Sequence, residues 1–144
     1  MTAPDNHIDL YRRVVDPDGC RVRRGRVRRR DRKTFGRPLI ENQVVRHKLV
    51  EMHRRVEAAR VYTREVARRY DAGEQPLVEA LHAKKLGVDS AAYCVDQAVQ
   101  LHGGTGYMHG TEVERHYRDA RILPIGGGAT EVLTNLTARL MGYS

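Results

Sequence analysis

One apolar pattern constrains the fold of this chain more than any other feature of its sequence. Between residues 45 and 70, apolar side chains recur at every third or fourth position, with arginine, lysine and glutamate between them. These side chains are Val45, Leu49, Met52, Val56, Ala59, Tyr62, Val66 and Tyr70. The spacing predicts one continuous amphipathic helix. Asp71-Ala72-Gly73 ends the pattern, with Gly73 as the residue just past the helix.

Three further helices are predicted after this one. A second, more apolar helix covers residues 77 to about 101, with Pro76 in its first turn, a short third helix lies around residues 111–120, and a last one begins near Gly128. The second helix carries Leu77, Leu81, Val88, Ala91, Val95, Ala98 and Val99, and the last turns Val132, Leu133, Leu136 and Leu140 inward. No strand pattern competes, so the predicted fold is all-α, an antiparallel bundle of incomplete four-helix type.

The second helix also predicts neighbours that these four helices do not supply. Its apolar residues lie around much of its circumference, so it needs cover on more than one side. Either residues 8–30 form a further helix, or another chain covers the surface. We expect oligomerisation or, failing that, marginal stability.

The positive charge of the chain is concentrated in its N-terminal quarter. Residues 1–33 hold 11 Arg and Lys against 5 Asp and Glu, a net of +6, whereas residues 34–144 hold 15 against 13, a net of +2. We therefore divide the chain into a basic, disordered or frame-shifted segment, residues 1–30, and a helical domain, residues 31–144. The arginine run at residues 21–30 suits nonspecific phosphate binding, but it has no aromatic partners, so nucleic acid is the weaker alternative.

Several classes of protein are excluded by the sequence. No apolar run is long enough for a membrane span, and the N-terminus has no apolar core of a secretory signal. Cys20 and Cys94 follow no zinc or redox spacing, and the histidines form no HExxH pattern. We predict no metal site and a reduced, cytoplasmic location.

The chemically most informative stretch covers residues 100–133. It holds the clusters Gly103-Gly104-Thr105-Gly106 and Gly126-Gly127-Gly128, with Gly110 between them. Glycine clusters beside helices let backbone approach a ligand or another chain. A helix that begins directly after such a cluster offers free N–H groups to an anion.

Four motifs in this part of the chain resemble those of the acyl-CoA dehydrogenase family. They are Arg32-Lys33-Thr34-Phe35-Gly36 with Gln43 downstream, Gln100-x-x-Gly103-Gly104-x-Gly106-Tyr107, Val113-Glu114-Arg115-x-x-Arg118-Asp119-Ala120-Arg121-Ile122, and Gly126-Gly127-Gly128-Ala129-Thr130-Glu131-Val132 where the family has EGTSEI. Order and spacing agree over about residues 31–142. The resemblance implies the family's C-terminal four-helix bundle, without its N-terminal and middle domains. Residues 1–30 stand where the bundle's first helix belongs and do not resemble it.

The resemblance implies an FAD site at a dimer interface, to which both subunits contribute. Three sets of residues are implied to bind the cofactor. Arg32, Thr34 and Phe35 would contact the cofactor of the neighbouring subunit. The adenosine would be bound by Gln43, Gln100, Gly103 and Gly104, and the flavin with its phosphates would lie beside Ala129, Thr130 and Glu131. Two structural roles compete with these. Thr130 would also cap the last helix, and the charged side chains Arg115, Arg118, Asp119 and Arg121 would form ion pairs.

The catalytic base of the family has no counterpart that we can assign. The family reaction is FAD-dependent α,β-dehydrogenation of an acyl-CoA thioester, in which a carboxylate removes the α-proton and flavin N5 accepts the β-hydride. Gly127 occupies the usual glutamate position and cannot be a base, and Glu131 lies several residues too far along. Isovaleryl-type and long-chain-type members place the glutamate on the bundle's first helix, which is not recognisable here.

The expected function is therefore divided between two alternatives. The first is an acyl-CoA dehydrogenase-like protein that is inactive by itself, with acyl-CoA as the family substrate. Its partner would be a second copy, as a homodimer or homotetramer, or a separate subunit that supplies the missing domains. The second is a non-catalytic helical dimerisation or interaction module.

Overall fold

In a computed structural model of the chain, residues 33–34 and 36–143 are described, with side chains from residue 36 onward. A short antiparallel hairpin comes first, with Lys33 paired to Pro38 and Thr34 to Arg37. Its strands are β1 (Lys33–Thr34) and β2 (Arg37–Pro38). All other regular structure is helical, so the predicted fold class is confirmed. The hairpin, with two residues in each strand, is too short to show a strand pattern in the sequence.

The first long helix, α1, covers Gln43–Asp71 and follows a 3-10 turn at Leu39–Glu41. The Oδ1 atom of Asn42 accepts a hydrogen bond from the Val44 amide at 3.0 Å, which fixes the start of the helix. At the other end, Gly73 adopts a φ of +87°, a conformation that favours glycine. The predicted end of this helix is confirmed.

The second long helix, α2, covers Leu77–His102 and packs antiparallel against α1. Three contacts set the register between them. The Cys94 thiol donates to the Met52 carbonyl at 3.8 Å, Ser90 Oγ lies 3.4 Å from the Arg55 carbonyl, and an ion pair joins Arg69 to Glu79 at 2.8 Å. The buried core lies along this contact and comprises Met52, Val56, Ala91, Cys94, Val95, Ala98, Val113 and Ala120.

Two shorter helices follow and close over one end of α2. Helix α3 (Gly104–Tyr107) is a single turn that the sequence did not predict, and α4 (Glu112–Ala120) begins at Thr111. The Thr111 hydroxyl accepts a hydrogen bond from the Glu114 amide at 3.3 Å. Val113, His116 and Ala120 form the buried side of α4, which packs on α2.

The last helix, α5, covers Thr130–Leu140 and packs on α2. The prediction that Val132, Leu136 and Leu140 point inward is wrong, because these side chains are 64%, 44% and 47% exposed. Thr137 is buried instead, and Leu133 is half-buried. Within the described residues, α2 is the main surface that α5 meets, so only one side of α5 is covered. Tyr70 and Leu77, also predicted to be buried, are exposed near the connection between α1 and α2.

Along the described residues, no helix combines the length and the apolar character that crossing a bilayer requires.

Acid should weaken α1 through Glu51. Hydrogen bonds from Arg54 and then Arg55 hold the pKa of Glu51 at about 2, below its ordinary 4.5. Because the folded pKa is the lower one, this carboxylate stabilises the fold above pH 4.5 and loses that effect as the pH falls toward 2. We expect urea unfolding to show a smaller acid-induced loss of stability for Glu51→Gln than for the natural chain. Glu41→Gln is the control, since Glu41 makes no ion pair among the described residues; equal pH slopes in all three proteins would contradict the assignment.

Candidate functional site

The adenosine-side residues implied by the sequence come together at one end of the α1–α2 pair. Lys48 of α1 donates to the Gln97 side chain of α2. Because the helices are antiparallel, moving five positions back from Lys48 and five forward from Gln97 brings Gln43 level with His102. Gln43, at the start of α1, therefore lies at the same end as Gln100, near the end of α2. Both glutamine side chains are exposed.

Two glycines, Gly103 and Gly104, follow α2 at the end that carries Gln100. Gly103 ends α2 with a φ of +60°, and its amide bonds the Gln100 carbonyl at 3.2 Å. A Cβ atom on Gly104 would meet nothing within 4 Å. Gly104 thus leaves the main chain open beside two exposed amide side chains, as close approach of a ligand would require.

Arg32, Thr34 and Phe35 are the residues implied to contact the neighbouring subunit's cofactor, and of these three the structure describes only Thr34. Thr34 lies in β1, and the hairpin and the 3-10 turn lead from it directly into α1. The side chain of Arg46 holds this approach by donating to the Glu41 carbonyl at 2.6 Å. Arg32 and Phe35 lie outside the described residues, so their predicted role stays a prediction.

The second group of predicted residues forms the glycine turn, which we define as residues 126–130. Gly127 and Gly128 have φ values of +66° and +103°, so both adopt conformations that favour glycine. The Nζ atom of Lys84 donates to the Gly126 carbonyl at 2.8 Å and to the Gly128 carbonyl at 2.5 Å. Burial lowers the pKa of Lys84 below its ordinary value. Sequence reasoning missed this lysine.

Thr130 does not cap α5, so that prediction is wrong. The N-cap residue is Ala129, which makes no side-chain cap bond, and Thr130 is the first residue of the helix. The Thr130 amide and hydroxyl both donate to the Pro124 carbonyl, at 3.0 and 3.3 Å. These bonds close the chain between α4 and α5 into a compact loop. Glu131, the next residue, is exposed.

A cavity of about 190 Å³ lies between α2 and α5, next to the glycine turn. It is lined by Leu81, His82, Lys84, Val88, Thr130 and Leu133, among others. Its surface is mostly apolar, and its polar groups are two lysines, a histidine and three threonine hydroxyls, with Lys85, Thr134 and Thr137 completing the lining. Such a composition suits a largely apolar ligand with a polar end.

The two groups of residues lie well apart on the chain. The glycine turn is attached to α2 at Lys84, whereas Gln100 lies near the end of the same helix, 16 positions later. At 1.5 Å per residue, that separation is about 24 Å. The structure thus places the glutamine end and the glycine turn on different parts of the molecule.

Gly127 occupies the position at which the family's catalytic glutamate is expected. An atom at the Cβ position of Gly127 would have one neighbour within 4 Å among the described residues, the Lys84 Nζ at 3.7 Å. The immediate neighbour is therefore a cation and not a carboxylate. Neither Gly127 nor its surroundings in the described part of the chain supply a base.

The prediction that the charged residues in and after α4 form ion pairs is confirmed for one of them. Arg118 forms an ion pair with Glu114 at 3.1 Å, one helical turn away, as predicted. For Arg115, Asp119 and Arg121, the described residues provide no ion pair.

Comparisons with known proteins agree on one family. The sequence profile of the acyl-CoA dehydrogenase C-terminal domain matches residues 24–142. The match therefore includes residues 24–30, which belong to the basic N-terminal segment. A 3-(aryl)acrylate reductase of Clostridium sporogenes is 38% identical over 103 residues, 72% of this chain and 27% of its own. Human short-chain specific acyl-CoA dehydrogenase is 39% identical over 102 residues, 71% of this chain and 25% of its own.

Solved structures give the same result. A candidate acyl-CoA dehydrogenase from Mycobacterium smegmatis superposes with a TM-score of 0.78 at 45% identity, covering 96% of this chain and 33% of that one. Butyryl-CoA dehydrogenase from Megasphaera elsdenii gives 0.74 at 29% identity, covering 95% and 32%. This chain thus spans about a quarter to a third of the length of these proteins. It belongs to the acyl-CoA dehydrogenase family, and the part of the family that it matches is the C-terminal helical domain.

Proposed function

We propose that this chain provides the helical, FAD-contacting part of an acyl-CoA dehydrogenase-type flavoprotein and acts as a dimer or higher oligomer in the cytoplasm. The observation that carries the proposal is the separation of about 24 Å between the glutamine end and the glycine turn. A dimer that brings the glutamine end of one chain beside the glycine turn of the other would place both groups on one cofactor. A pair of chains would then form two equivalent sites.

The residues present fit the chemistry of FAD. At the glutamine end, the exposed amides of Gln43 and Gln100 can both donate and accept hydrogen bonds, as a purine and ribose require. Gly104 leaves the main chain open beside them. At the glycine turn, the amides of Gly127 and Ala129 have no acceptor among the described residues, and free amides before a helix favour a negatively charged group such as a phosphate.

The reaction proposed for the complete assembly is the α,β-dehydrogenation of an acyl-CoA thioester. Bound FAD would supply the acceptor for the hydride. Position 127, where the family's glutamate is expected, supplies no base, since it is glycine with Lys84 as its neighbour. We therefore infer that the chain is inactive by itself and that the base comes from another polypeptide or from residues outside the described part.

Flavin binding tests the proposal directly. The purified chain should bind added FAD, seen as a shift of the visible flavin spectrum and as quenched flavin fluorescence. We expect Gln100→Ala to weaken FAD binding roughly tenfold, because a hydrogen bond to a buried ligand group is worth about 1–2 kcal/mol. Gln75→Ala is the matched control, since Gln75 is an exposed glutamine in the connection at the opposite end of α2. A natural chain that binds no FAD in its oligomeric form would reject the proposal.

The same titration can test the two-chain site. If one cofactor contacts two chains, apparent FAD affinity should rise with protein concentration across the range in which the oligomer forms. Sedimentation velocity would identify that range. FAD affinity that is independent of oligomeric state would contradict a shared site.

A second function is favoured by one specific observation. The outer side of α5 exposes Val132, Leu136 and Leu140, which recur every four residues and form an apolar strip. An interaction module without catalysis would use such a strip. A chain that oligomerises yet fails to bind FAD would favour this function.

A further inference from the structure

Lys84 connects two parts of the chain that lie 42 residues apart. It projects from the middle of α2, and its ammonium group donates to two carbonyls of the glycine turn, those of Gly126 at 2.8 Å and Gly128 at 2.5 Å. Charge-assisted hydrogen bonds of this kind are shorter and stronger than neutral ones. One side chain thus fixes two peptide planes at once.

The planar peptide bond determines which way the amides of the glycine turn point. In a trans peptide, the carbonyl oxygen and the following N–H lie on opposite sides of the chain, and the described part of the chain has no cis peptide bond. With the Gly126 and Gly128 carbonyls turned toward Lys84, the amides of Gly127 and Ala129 face away from it. Neither amide has a hydrogen-bond acceptor among the described residues. They are two free donors on the side of the turn opposite to Lys84.

The turn needs such a restraint because of its composition. Three consecutive glycines have few steric limits on φ and ψ, so their peptide planes can rotate at little cost. Leu133 restricts Gly128, where a Cβ atom would stand 2.8 Å from a methyl carbon. At Gly127, the one neighbour of a Cβ atom within 4 Å would be the Lys84 ammonium itself. Lys84 thus fixes the turn together with two other contacts, the Gly126 amide on the Ile122 carbonyl at 2.7 Å and the Thr130 amide on the Pro124 carbonyl at 3.0 Å.

We propose that Lys84 is a positioning residue that orients the amides of Gly127 and Ala129 toward a carbonyl-type oxygen of the bound flavin. The identity of that acceptor rests on the function proposed above. The orientation of the amides does not, because it follows from contacts within the chain. Lys84 acts through the main chain and need not touch cofactor or substrate.

The first test reads the order of the turn without any ligand. The amides of Thr130 and Leu133 bond the carbonyls of Pro124 and Ala129, both at 3.0 Å, so hydrogen exchange at these amides reports how the turn opens. We expect Lys84→Met to lower their protection at least about tenfold, since hydrogen bonds to charged groups are the stronger kind. Lys84→Arg, which keeps charged donors, should largely restore it, and Lys84→Gln should be intermediate.

Lys85→Met is the matched control. Lys85 follows Lys84 in α2, is exposed and pairs with Asp89 of the same helix. The Thr130 and Leu133 amides of Lys85→Met should therefore exchange hydrogen as they do in the natural chain. Circular dichroism before each measurement would show that the variants keep their helices. Unchanged protection of Thr130 and Leu133 in Lys84→Met would overturn the proposal.

The second test adds FAD to the same proteins. Lys84→Met should weaken FAD binding about tenfold, with recovery in Lys84→Arg. Lost protection combined with unchanged FAD affinity would overturn the positioning role. If even the natural chain binds no FAD, the proposed function fails, and the ligand-free protection of Thr130 and Leu133 still decides whether Lys84 orients the turn.

Discussion

Gly106→Val is expected to lower the free energy of unfolding by about 3 kcal/mol, the upper end of the usual cost of overpacking. Gly106 is buried in α3, where this single turn folds back on the end of α2. A Cβ atom there would stand 2.7 Å from the His102 Cβ and 2.8 Å from the Val99 carbonyl oxygen. Both are parts of α2 that cannot move without unwinding its last turn. Urea unfolding followed by circular dichroism would measure the loss.

Gly104 provides the control for this prediction. It lies in the same short helix, and a Cβ atom at its position would meet nothing within 4 Å. Gly104→Ala should therefore change the free energy of unfolding by less than about 0.5 kcal/mol. Equal losses for the two variants would show that the backbone contact at Gly106 is not what limits the site.

Met52→Ala is expected to cost about 2–5 kcal/mol, as truncation of a buried methionine usually does. Met52 is 0% exposed and lies at the centre of the α1–α2 core. Its neighbours include Cys94, whose thiol reaches the Met52 carbonyl at 3.8 Å. Removing the side chain would leave a void that two packed helices cannot close without shifting their register. Small domains are stable by only about 5–15 kcal/mol, so this variant would lose a large share of its stability.

Val50→Ala serves as the comparison for Met52, since Val50 lies in the same helix and is 67% exposed. It should unfold within about 0.5 kcal/mol of the natural chain. A loss below about 1 kcal/mol for Met52→Ala would contradict the central position of this side chain in the core.

The long helices could be predicted because their signal is local. Val45, Met52 and Val56 share one face by spacing alone, and all three are buried. The exposed side chains of α5 could not be predicted in the same way. An apolar pattern shows which residues favour burial, but it does not show whether a neighbour is present to cover them. For Leu136 and Leu140, none of the described elements covers them well enough to bury them.

The candidate site was predicted where it depends on motifs and missed where it depends on packing. The resemblance located both glycine clusters, yet nothing in the sequence distinguishes Lys84 from Lys85, and only the fold brings one of them to the glycine turn. The first cluster was interpreted as a place for ligand approach. Gly104 is open, as that interpretation requires, but Gly106 serves a close contact within the chain itself. Residues of one motif can thus have different physical roles.

The antiparallel pairing of α1 with α2 also bears on the order of folding. These helices are adjacent in sequence, joined by residues 72–76, and most of the buried core lies between them. Contacts between neighbouring segments require little loop closure and form quickly, whereas the contacts of Lys84 with the glycine turn close loops of 42 and 44 residues. The helical pair should therefore form early, and the turn should acquire its conformation late. The surface proposed to face the flavin would then be the last part of this domain to take shape, on a scaffold that already exists.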